Sequence, residues 1–287
     1  MNVLIVGALG QLGRDLVKVF SDVNVIEYDI EDMDITDEAR VQQQIAFTSC
    51  DVVINAAAFT RVDECEREHE EAFRVNALGV KNLAGACKRW DIPLVHISTN
   101  YVFSGEKRIA YVEEDPPAPV NAYGLTKLAG EYYLRYTWDK HYIVRVAGLF
   151  GITPSRMKGT NFVEAMLRLG ARGTSLRIVS DEYLSPTSAS DAAQHIRRLL
   201  ETGKFGTYHL VNHGSCSWLE FAREIFSQSG IDVDLQSVTA EEYGAPARRP
   251  RNSALENRAL AELGLDTMPA WQEALSVYLK ERENARE

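Results

Sequence analysis

The sequence predicts an α/β fold in which a doubly wound parallel sheet carries a smaller C-terminal lobe. Two observations carry this prediction. Short apolar segments alternate with helical patterns as far as about residue 151, and this regular alternation fades afterwards. We therefore expect a first domain over residues 1–151 and a smaller lobe over residues 152–287, some of whose segments could return to the main sheet.

The first element is the apolar, β-branched segment Val3–Val6, which is typical of a parallel strand covered on both faces. Gly7, Gly10 and Gly13 follow at a GxxGxxG spacing, and a helical pattern begins behind them. Such a turn lets the backbone approach a pyrophosphate, and the helix N-terminus offers unpaired N–H groups to its oxygens. The first domain is therefore expected to be a Rossmann-like, dinucleotide-binding domain.

The second predicted strand ends in Asp29, where an acidic side chain commonly accepts hydrogen bonds from the adenosine ribose hydroxyls. This favours NAD(H). Arg14, just past the glycine turn, could instead pair with the 2′-phosphate of NADP(H), so both cofactors stay open. Asp34 and Ile35 could contact the adenine, and Thr36 could cap the helix that follows.

Two later strands end in small or hydroxyl-bearing residues, at the edge where open α/β sheets bind ligands. Asp51–Asn55 leads into three alanines, whose small side chains let a ligand lie against the backbone. Pro93–Ile97 leads into hydroxyls, of which Thr99 could polarise a substrate carbonyl. His96 lies among apolar residues within that strand, and we interpret it as a packed histidine rather than a catalytic one.

Tyr123 and Lys127 stand four residues apart on one face of a predicted helix, which Asn121 could cap. An ammonium near a phenol stabilises the phenolate, so we expect Lys127 to lower the pKa of Tyr123 and make its hydroxyl a usable acid or base near neutrality. Many helices contain this spacing by chance, so its meaning depends on the rest of the chain.

Charge and composition exclude several function classes. The formal net charge is −10 and no basic tract offsets it, which argues against a nucleic-acid partner. The densest basic cluster, Arg248, Arg249 and Arg251, suits one small anionic ligand. The four cysteines are far apart without metal-ligand spacing, which predicts free thiols. No residues are assigned as metal ligands, and whether a metal is used stays open. The sequence shows neither a signal peptide nor a membrane-spanning run, so we expect a cytoplasmic location and no membrane partner.

The ordered set of these motifs resembles the extended short-chain dehydrogenase/reductase superfamily over nearly the whole chain. Five segments narrow the resemblance to the dTDP-4-dehydrorhamnose reductase family: Asn55–Asp63, Ser98–Phe103, Tyr123–Lys127, Asp181–Thr187 and Arg249–Ser253. This resemblance implies NAD(P)H-dependent reduction of the 4-keto group of a nucleotide-linked deoxysugar, with a dTDP-linked substrate from dTDP-L-rhamnose biosynthesis.

The resemblance also implies roles for individual residues. It implies a proton donor, a partner amine and a hydroxyl on the carbonyl oxygen at Tyr123, Lys127 and Thr99. The implied cofactor contacts are Gly7, Gly10, Gln11, Leu12, Asp29, Asp34, Ile35, Ala56, Ala57, Ala58, Tyr123, Lys127 and Val146. The implied substrate contacts, with Arg248 or Arg249 on the diphosphate, are Asn100, Tyr101, Asn161, Arg248 and Arg249.

Two departures from the family pattern leave the exact sugar and base open. Asn100 stands where the family usually has Asp, and Gly148 stands where it often has an aromatic residue. A nucleotide-sugar epimerase or dehydratase is one alternative, although no acidic pair follows Thr99 as a dehydratase would use. A non-catalytic, cofactor-binding regulatory subunit, like that of methionine adenosyltransferase, is the other. The helices over Glu70–Trp90 and Tyr123–Tyr136 could form a homodimer face.

Overall fold

A computed structural model describes residues 1–154, 157 and 159–284. Its strands are β1 (Asn2–Val6), β2 (Asn24–Tyr28), β3 (Val52–Asn55), β4 (Leu94–Thr99), β5 (His141–Val146), β6 (Leu149–Phe150), β7 (Leu176–Val179), β8 (Tyr183–Leu184), β9 (Thr187–Ser188), β10 (Gly206–His209), β11 (Cys216–Ser217) and β12 (Leu235–Val238). Its α-helices are α1 (Gln11–Val19), α2 (Glu38–Thr48), α3 (Val62–Cys65), α4 (His69–Phe73), α5 (Gly79–Arg89), α6 (Ala122–Thr137), α7 (Phe162–Gly170), α8 (Ala189–Glu201), α9 (Trp218–Ser229), α10 (Ala240–Tyr243), α11 (Arg258–Glu262) and α12 (Trp271–Asn284).

The main sheet of the described residues has six strands, all parallel, in the order β10-β5-β4-β3-β1-β2. Apolar side chains of α1 and α8 cover one face of the sheet, and those of α2, α5 and α6 cover the other. This confirms the predicted doubly wound α/β fold. The chain changes direction across the sheet between β1 and β3, and such a switch point opens a crevice at the carboxyl ends of the strands.

The glycine turn after β1 depends on close backbone packing. Gly7 has a φ of 81°, and a Cβ atom there would lie 2.7 Å from the amide nitrogen of Ala57. A Cβ atom on Gly13 would lie 2.2 Å from the carbonyl oxygen of Gly7. Both positions therefore need glycine, because a larger residue would push β1, α1 and the loop after β3 apart.

Caps and irregular turns fix the helices that carry functional side chains. Asn121 caps α6, as predicted, by accepting a hydrogen bond from the backbone of Gly124 at 2.7 Å. Asp37 caps α2 instead of Thr36, whose hydroxyl donates to Asp34. The helix predicted over 70–90 is interrupted by a π-helical turn at Arg74–Leu78.

Asn76 lies in this π-helical turn and anchors the loop after β3. Its side chain accepts from the backbone nitrogen of Phe59 at 2.8 Å, and it donates to the carbonyl of Phe59 at 3.0 Å. It also donates to the hydroxyl of Thr126 at 3.1 Å, which joins this loop to α6. The side chain of Asn76 therefore has a positioning role beside the crevice.

The chain beyond residue 151 contributes to the main sheet with its helices and also forms a second apolar core. Strand β10 extends the main sheet beside β5, and α8 packs on α1. Apolar residues of α7, α9 and α12 form a separate core around Phe221 and Trp271. A domain boundary between residues 151 and 152 stays a prediction.

The four cysteines are buried and free, as the sequence predicted. Among the described residues, none of the helices combines the length and the apolar character that a membrane span requires.

Candidate active site

A cavity of about 830 Å³ opens at the carboxyl ends of β1, β3 and β4. It is lined by nearly all of the residues that the sequence singled out: Gly7, Gly10, Gln11, Leu12, Asp29, Asp34, Ile35, Ala56, Ala57, Ala58, Thr99, Asn100, Tyr101, Tyr123, Lys127, Val146 and Asn161. Arg248 and Arg249 are outside this lining. The topology therefore brings together residues that are as far apart in sequence as Gly7 and Asn161.

The end of the cavity beside the glycine turn fits a dinucleotide. The side-chain oxygen of Gln11, at the start of α1, is buried without a hydrogen-bond partner among the described residues. A buried polar atom of this kind is left to bond a ligand. The carboxylate of Asp29 accepts a hydrogen bond from the backbone of Leu9 at 3.2 Å, which places it beside the glycine turn.

Arg14 does not point freely toward a 2′-phosphate. Its guanidinium donates to the carboxylate of Glu27 at 2.9 Å, one strand position ahead of the end of β2. Asp34 accepts hydrogen bonds from the backbone and hydroxyl of Thr36 at 2.9 and 2.8 Å, which fixes the loop next to Ile35. The ribose end of the cavity is therefore lined by carboxylates, and the nearby cation is already paired.

Thr99 and Tyr123 both line the cavity, where the Thr99 hydroxyl donates to the side-chain oxygen of Asn100 at 3.2 Å. Burial raises the pKa of the Tyr123 phenol, and the nearby hydroxyl of Thr99 partly opposes this rise. Tyr101 stacks edge-on against the same ring, with 5.9 Å between ring centroids. Thr99 and Tyr123 are thus placed to bind one substrate oxygen between them.

The amine of Lys127 is almost completely buried, on the same side of α6 as Tyr123. It donates to the carbonyl of Ile97 at 2.7 Å, and its nitrogen lies 3.4 Å from Nε2 of His96. Burial lowers the pKa of Lys127 to about 7, while Glu131 opposes this effect. The expectation that the pKa of Tyr123 falls toward neutrality is therefore wrong for this structure, because burial raises that pKa.

A buried polar network behind Lys127 was not foreseen from the sequence. Glu131 is fully buried and receives hydrogen bonds from Arg145 at 2.7 and 3.0 Å and from Ser98 at 2.6 Å. Arg145 holds the pKa of this carboxyl below its usual value. The sequence contained an indication of this buried network, because Arg145 interrupts an otherwise apolar strand and Glu131 lies one turn beyond Lys127.

The substrate side of the cavity explains why Asn stands at position 100. The side-chain amide of Asn100 donates to the hydroxyl of Ser253 at 2.8 Å and to the carbonyl of Ser253 at 3.3 Å. The Ser253 hydroxyl itself donates to the carbonyl of Tyr183. An aspartate at this position would set a carboxylate against the Ser253 carbonyl, so this environment requires a donor.

Gly148 is the second position at which the chain departs from the family pattern, and its surroundings also explain the residue found there. Its φ is 48°, and a Cβ atom there would lie 2.5 Å from Cδ1 of Leu184. Leu184 and Gly148 both line the cavity. The space that a side chain at position 148 would occupy is therefore filled by Leu184, a residue that the sequence reasoning missed.

The remaining predicted substrate contacts are held by protein partners. Asn161 caps α7, accepting from Glu164 at 3.0 Å and donating to the carbonyl of Gly151 at 2.9 Å. Arg249 pairs with Asp63 at 2.8 Å, and its charge partly opposes the rise in the Tyr101 pKa that burial causes.

Arg248 is exposed, and its backbone carbonyl accepts from Asn121 at 2.8 Å. The amide of Asn121 thus links the cap of α6 to the Arg248–Arg249 segment. Neither arginine lines the cavity, so a contact with a substrate depends on where the ligand extends beyond it.

Comparison with known proteins identifies the family. The family model described as the RmlD substrate binding domain matches residues 1–284. The chain belongs to this family. Relatives of the RmlD family include the spore coat polysaccharide biosynthesis protein SpsK of Bacillus subtilis, which is 40% identical over 99% of both chains. The dTDP-4-dehydrorhamnose reductase of Sinorhizobium fredii is 34% identical over 96% of this chain and 95% of its own.

Solved structures agree with this family membership. A dTDP-4-dehydrorhamnose reductase from Clostridium acetobutylicum has a TM-score of 0.94 and 40% identity, covering 99% of this chain and 100% of that one. The Bacillus anthracis dTDP-4-dehydrorhamnose reductase, solved in complex with NADP, has a TM-score of 0.91 and 38% identity, with coverages of 98% and 99%. The predicted resemblance to the reductase family is confirmed.

Proposed function

We propose that the chain is a reductase that uses NADH or NADPH to reduce the 4-keto group of a nucleotide-linked deoxysugar, with a dTDP-linked substrate as in dTDP-L-rhamnose formation. One observation carries the proposal: the side chains of Thr99, Tyr123 and Lys127 line the same cavity, and Lys127 lies one helical turn from Tyr123. The names of relatives that match over nearly the whole chain support the choice of substrate.

A reduced nicotinamide, when bound, supplies the hydride. The residues that would hold the cofactor lie between the glycine turn and β5, and they are Gly7, Gly10, Gln11, Leu12, Asp29, Asp34, Ile35, Ala56, Ala57, Ala58, Tyr123, Lys127 and Val146. The glycine turn and the start of α1 suit a pyrophosphate, and the carboxylate of Asp29 suits ribose hydroxyls.

The protein's own residues handle the proton. The hydroxyl of Tyr123 gives its proton to the carbonyl oxygen as that oxygen becomes negative, and Thr99 donates a hydrogen bond to the same atom. The phenolate that remains on Tyr123 is stabilised by the ammonium form of Lys127. Tyr101, packed against the ring, keeps water from this side of the reacting group.

The sugar nucleotide occupies the end of the cavity away from the glycine turn, where Asn100, Tyr101 and Asn161 lie. Its diphosphate is bound by the Arg248–Arg249 segment. Arg248 is exposed and can reach an anion directly, whereas Arg249 is paired with Asp63. Arg249 therefore acts mainly by ordering this end of the site.

The decisive assay follows the absorbance of NADH and of NADPH while a panel of 4-keto nucleotide sugars is added. Stoichiometric consumption of the reduced cofactor with a dTDP-4-keto sugar is the expected result. Isomerisation of a nucleotide sugar without net cofactor consumption would establish an epimerase instead. Cofactor binding without turnover of any sugar, together with co-purification of a larger enzyme, would establish a regulatory subunit.

Three further features belong to this proposal. The protein acts in the cytoplasm, where nucleotide sugars and reduced cofactors are available, and residues 152–287 serve as its substrate-binding lobe.

It associates as a homodimer through α5 and α6, because Leu125, Tyr132 and Tyr136 leave apolar surface exposed along α6. Light scattering after size-exclusion chromatography tests the dimer, and an unchanged mass for Tyr136→Glu would argue against this face.

A further inference from the structure

Asn55, His96 and Lys127 form a line of buried polar groups behind the proposed catalytic tyrosine. The exposed fractions of these three residues are 0%, 0% and 1%. The side-chain nitrogen of Asn55 lies 3.2 Å from Nδ1 of His96, and Nε2 of His96 lies 3.4 Å from the amine of Lys127. The line runs from the end of β3 through β4 to α6, so three elements converge on one amine.

The orientation of the Asn55 amide decides where the proton of His96 lies. The side-chain oxygen of Asn55 accepts from the backbone nitrogen of Ala57 at 3.1 Å. Its NH₂ group must therefore face His96, which makes Nδ1 an acceptor. A neutral imidazole carries one proton, so that proton lies on Nε2 and points toward Lys127.

This arrangement has consequences for the lysine. A neutral amine has a lone pair that can accept from Nε2–H of His96 while it donates to the carbonyl of Ile97. An ammonium group would set N–H against N–H at the same contact. The fully satisfied hydrogen-bond pattern is therefore the one with a neutral amine, and it opposes protonation of Lys127 in addition to the effect of burial.

We propose that Asn55 fixes the tautomer of His96 and that His96 in turn sets the protonation equilibrium of Lys127, which makes His96 a positioning residue for the reductase. His96 is fully buried, which agrees with its interpretation as a packed rather than a catalytic histidine, and the proposal adds a positioning role. Burial also lowers the pKa of His96 well below its usual value, which keeps the ring neutral. The consequence for catalysis rests on the proposed function, whereas the tautomer can be observed without any substrate.

The titratable and charged groups around the amine come from three elements. His96 faces it from β4, Glu131 acts on it from α6, and Arg145 of β5 acts through its pair with Glu131. Tyr123 lies on the same helix as the amine, one turn away. Cys65 of α3 acts on Tyr123 rather than on the amine. Glu131 favours the ammonium form, so the Asn55–His96 pair works against it, and the balance decides the pH at which Lys127 titrates.

The tautomer is tested by nitrogen NMR on protein labelled with ¹⁵N-histidine, with the His96→Gln variant identifying the His96 signals. We expect Nδ1 of His96 to remain unprotonated and Nε2 to carry the proton from about pH 6 to 8. A proton on Nδ1, or an imidazolium in this range, overturns the proposal. This measurement needs neither cofactor nor substrate, so it stands apart from any failure of the reductase assay.

The coupling to Lys127 is tested with Asn55→Asp, which has nearly the same shape. The carboxylate would still accept from Ala57 but would also accept from Nδ1–H of His96, so Nε2 would become an acceptor for an ammonium. We expect the alkaline limb of the kcat/KM profile to move up by about one pH unit. The proton of His96 should move to Nδ1 in the same variant, and a limb that stays in place while the tautomer changes overturns the coupling.

A second pair of variants guards against misfolding of Asn55→Asp. His96→Gln offers a carbonyl oxygen to Lys127 and should also move the alkaline limb upward. His195→Gln replaces another buried histidine, which lies on α8 and bonds Thr267 and the carbonyl of Asp191. This control should leave the profile unchanged, and equal shifts in both variants would overturn the assignment to His96.

Discussion

The guanidinium of Arg249 donates to both carboxylate oxygens of Asp63, at 2.8 and 3.0 Å. This pair joins the segment before Pro250 to helix α3, across 186 residues of sequence. Burial raises the pKa of Tyr101 to about 12 and the charge of Arg249 partly opposes this rise, while Tyr101 packs edge-on against Tyr123. The ion pair is therefore connected to the reacting group through one aromatic ring.

Weakening this pair should impair substrate binding more than cofactor binding. Arg249→Lys replaces the planar, two-pronged contact with Asp63 by a point charge, so the cation beside Tyr101 is held less firmly. We expect the KM for the sugar nucleotide to rise about tenfold, or ~1.4 kcal/mol, with little change in the Kd for NADH. Asp63→Asn should give the same result, and steady-state kinetics with fluorescence titration of NADH measure both quantities.

The control for this prediction is Arg258→Lys, because Arg258 pairs with Glu114 at 3.7 Å in an exposed position. It should leave both constants unchanged. If Arg249 instead contacts the diphosphate directly, Asp63→Asn would release its guanidinium and lower the KM. That outcome would contradict the ordering role.

Removal of the phenolic hydroxyl should abolish reduction without loss of cofactor binding. Tyr123→Phe keeps the ring that packs against Tyr101 but removes the proton donor, so we expect kcat to fall by about 10² to 10⁴. Tyr132→Phe on the exposed side of the same helix should retain full activity. Stopped-flow measurement of NADH oxidation tests the pair, and full turnover by Tyr123→Phe would reject the assignment.

The ribose end of the cavity should prefer NADH. Asp29 lies beside the glycine turn, and Arg14 is held by Glu27, so a 2′-phosphate would meet a carboxylate before it met a free cation. We expect the ratio of kcat/KM values to favour NADH. The double variant Asp29→Ser/Glu27→Gln should shift that ratio toward NADPH by about tenfold or more, because it removes a repulsive charge and releases Arg14.

Asp22→Asn serves as a control that removes one carboxylate away from the cavity, since Asp22 pairs with Arg197 on the outer surface. It should leave the cofactor ratio unaltered. A wild-type enzyme that turns over NADPH as efficiently as NADH would show that Asp29 can turn away from the phosphate.

Short-range patterns predicted the frame of the site. The glycine turn, the Asn121 cap and the Tyr123–Lys127 face depend on residues within a few positions of one another, so they can be read from the sequence. The contacts that tune the site are distant in sequence. Asn100 meets Ser253 across 153 residues, and no local pattern indicates such a pairing.

The electrostatic error has the same origin. A helical spacing shows that Lys127 and Tyr123 share a face, but it does not show how much water each group loses on folding. Burial raises the pKa of Tyr123, which is opposite to the expected direction. The packing that buries Lys127 also places its amine close to His96 and to the carbonyl of Ile97. The desolvation depends on how β4 and α6 pack, which is a property of the tertiary structure.

The buried amine of Lys127 should cost stability in a way that depends on pH. Its pKa is about 7 in the folded protein and near 10.5 in the unfolded chain, so between these values the unfolded chain binds the extra proton. The free energy of unfolding therefore rises with pH over this window, and the cost of burying Lys127 is greatest below about pH 7.

Lys127→Met should consequently raise the Tm, and the gain should be larger at about pH 6.5 than at about pH 10, where the wild-type amine is mostly neutral in the folded state. Glu131 keeps Arg145 and Arg135 as partners, so the substitution leaves no unpaired buried charge. Differential scanning calorimetry at the two pH values measures the effect. The exposed Lys88→Met serves as the matched control, and a Tm gain for Lys127→Met that is equal at both pH values would mean that packing rather than ionisation causes it.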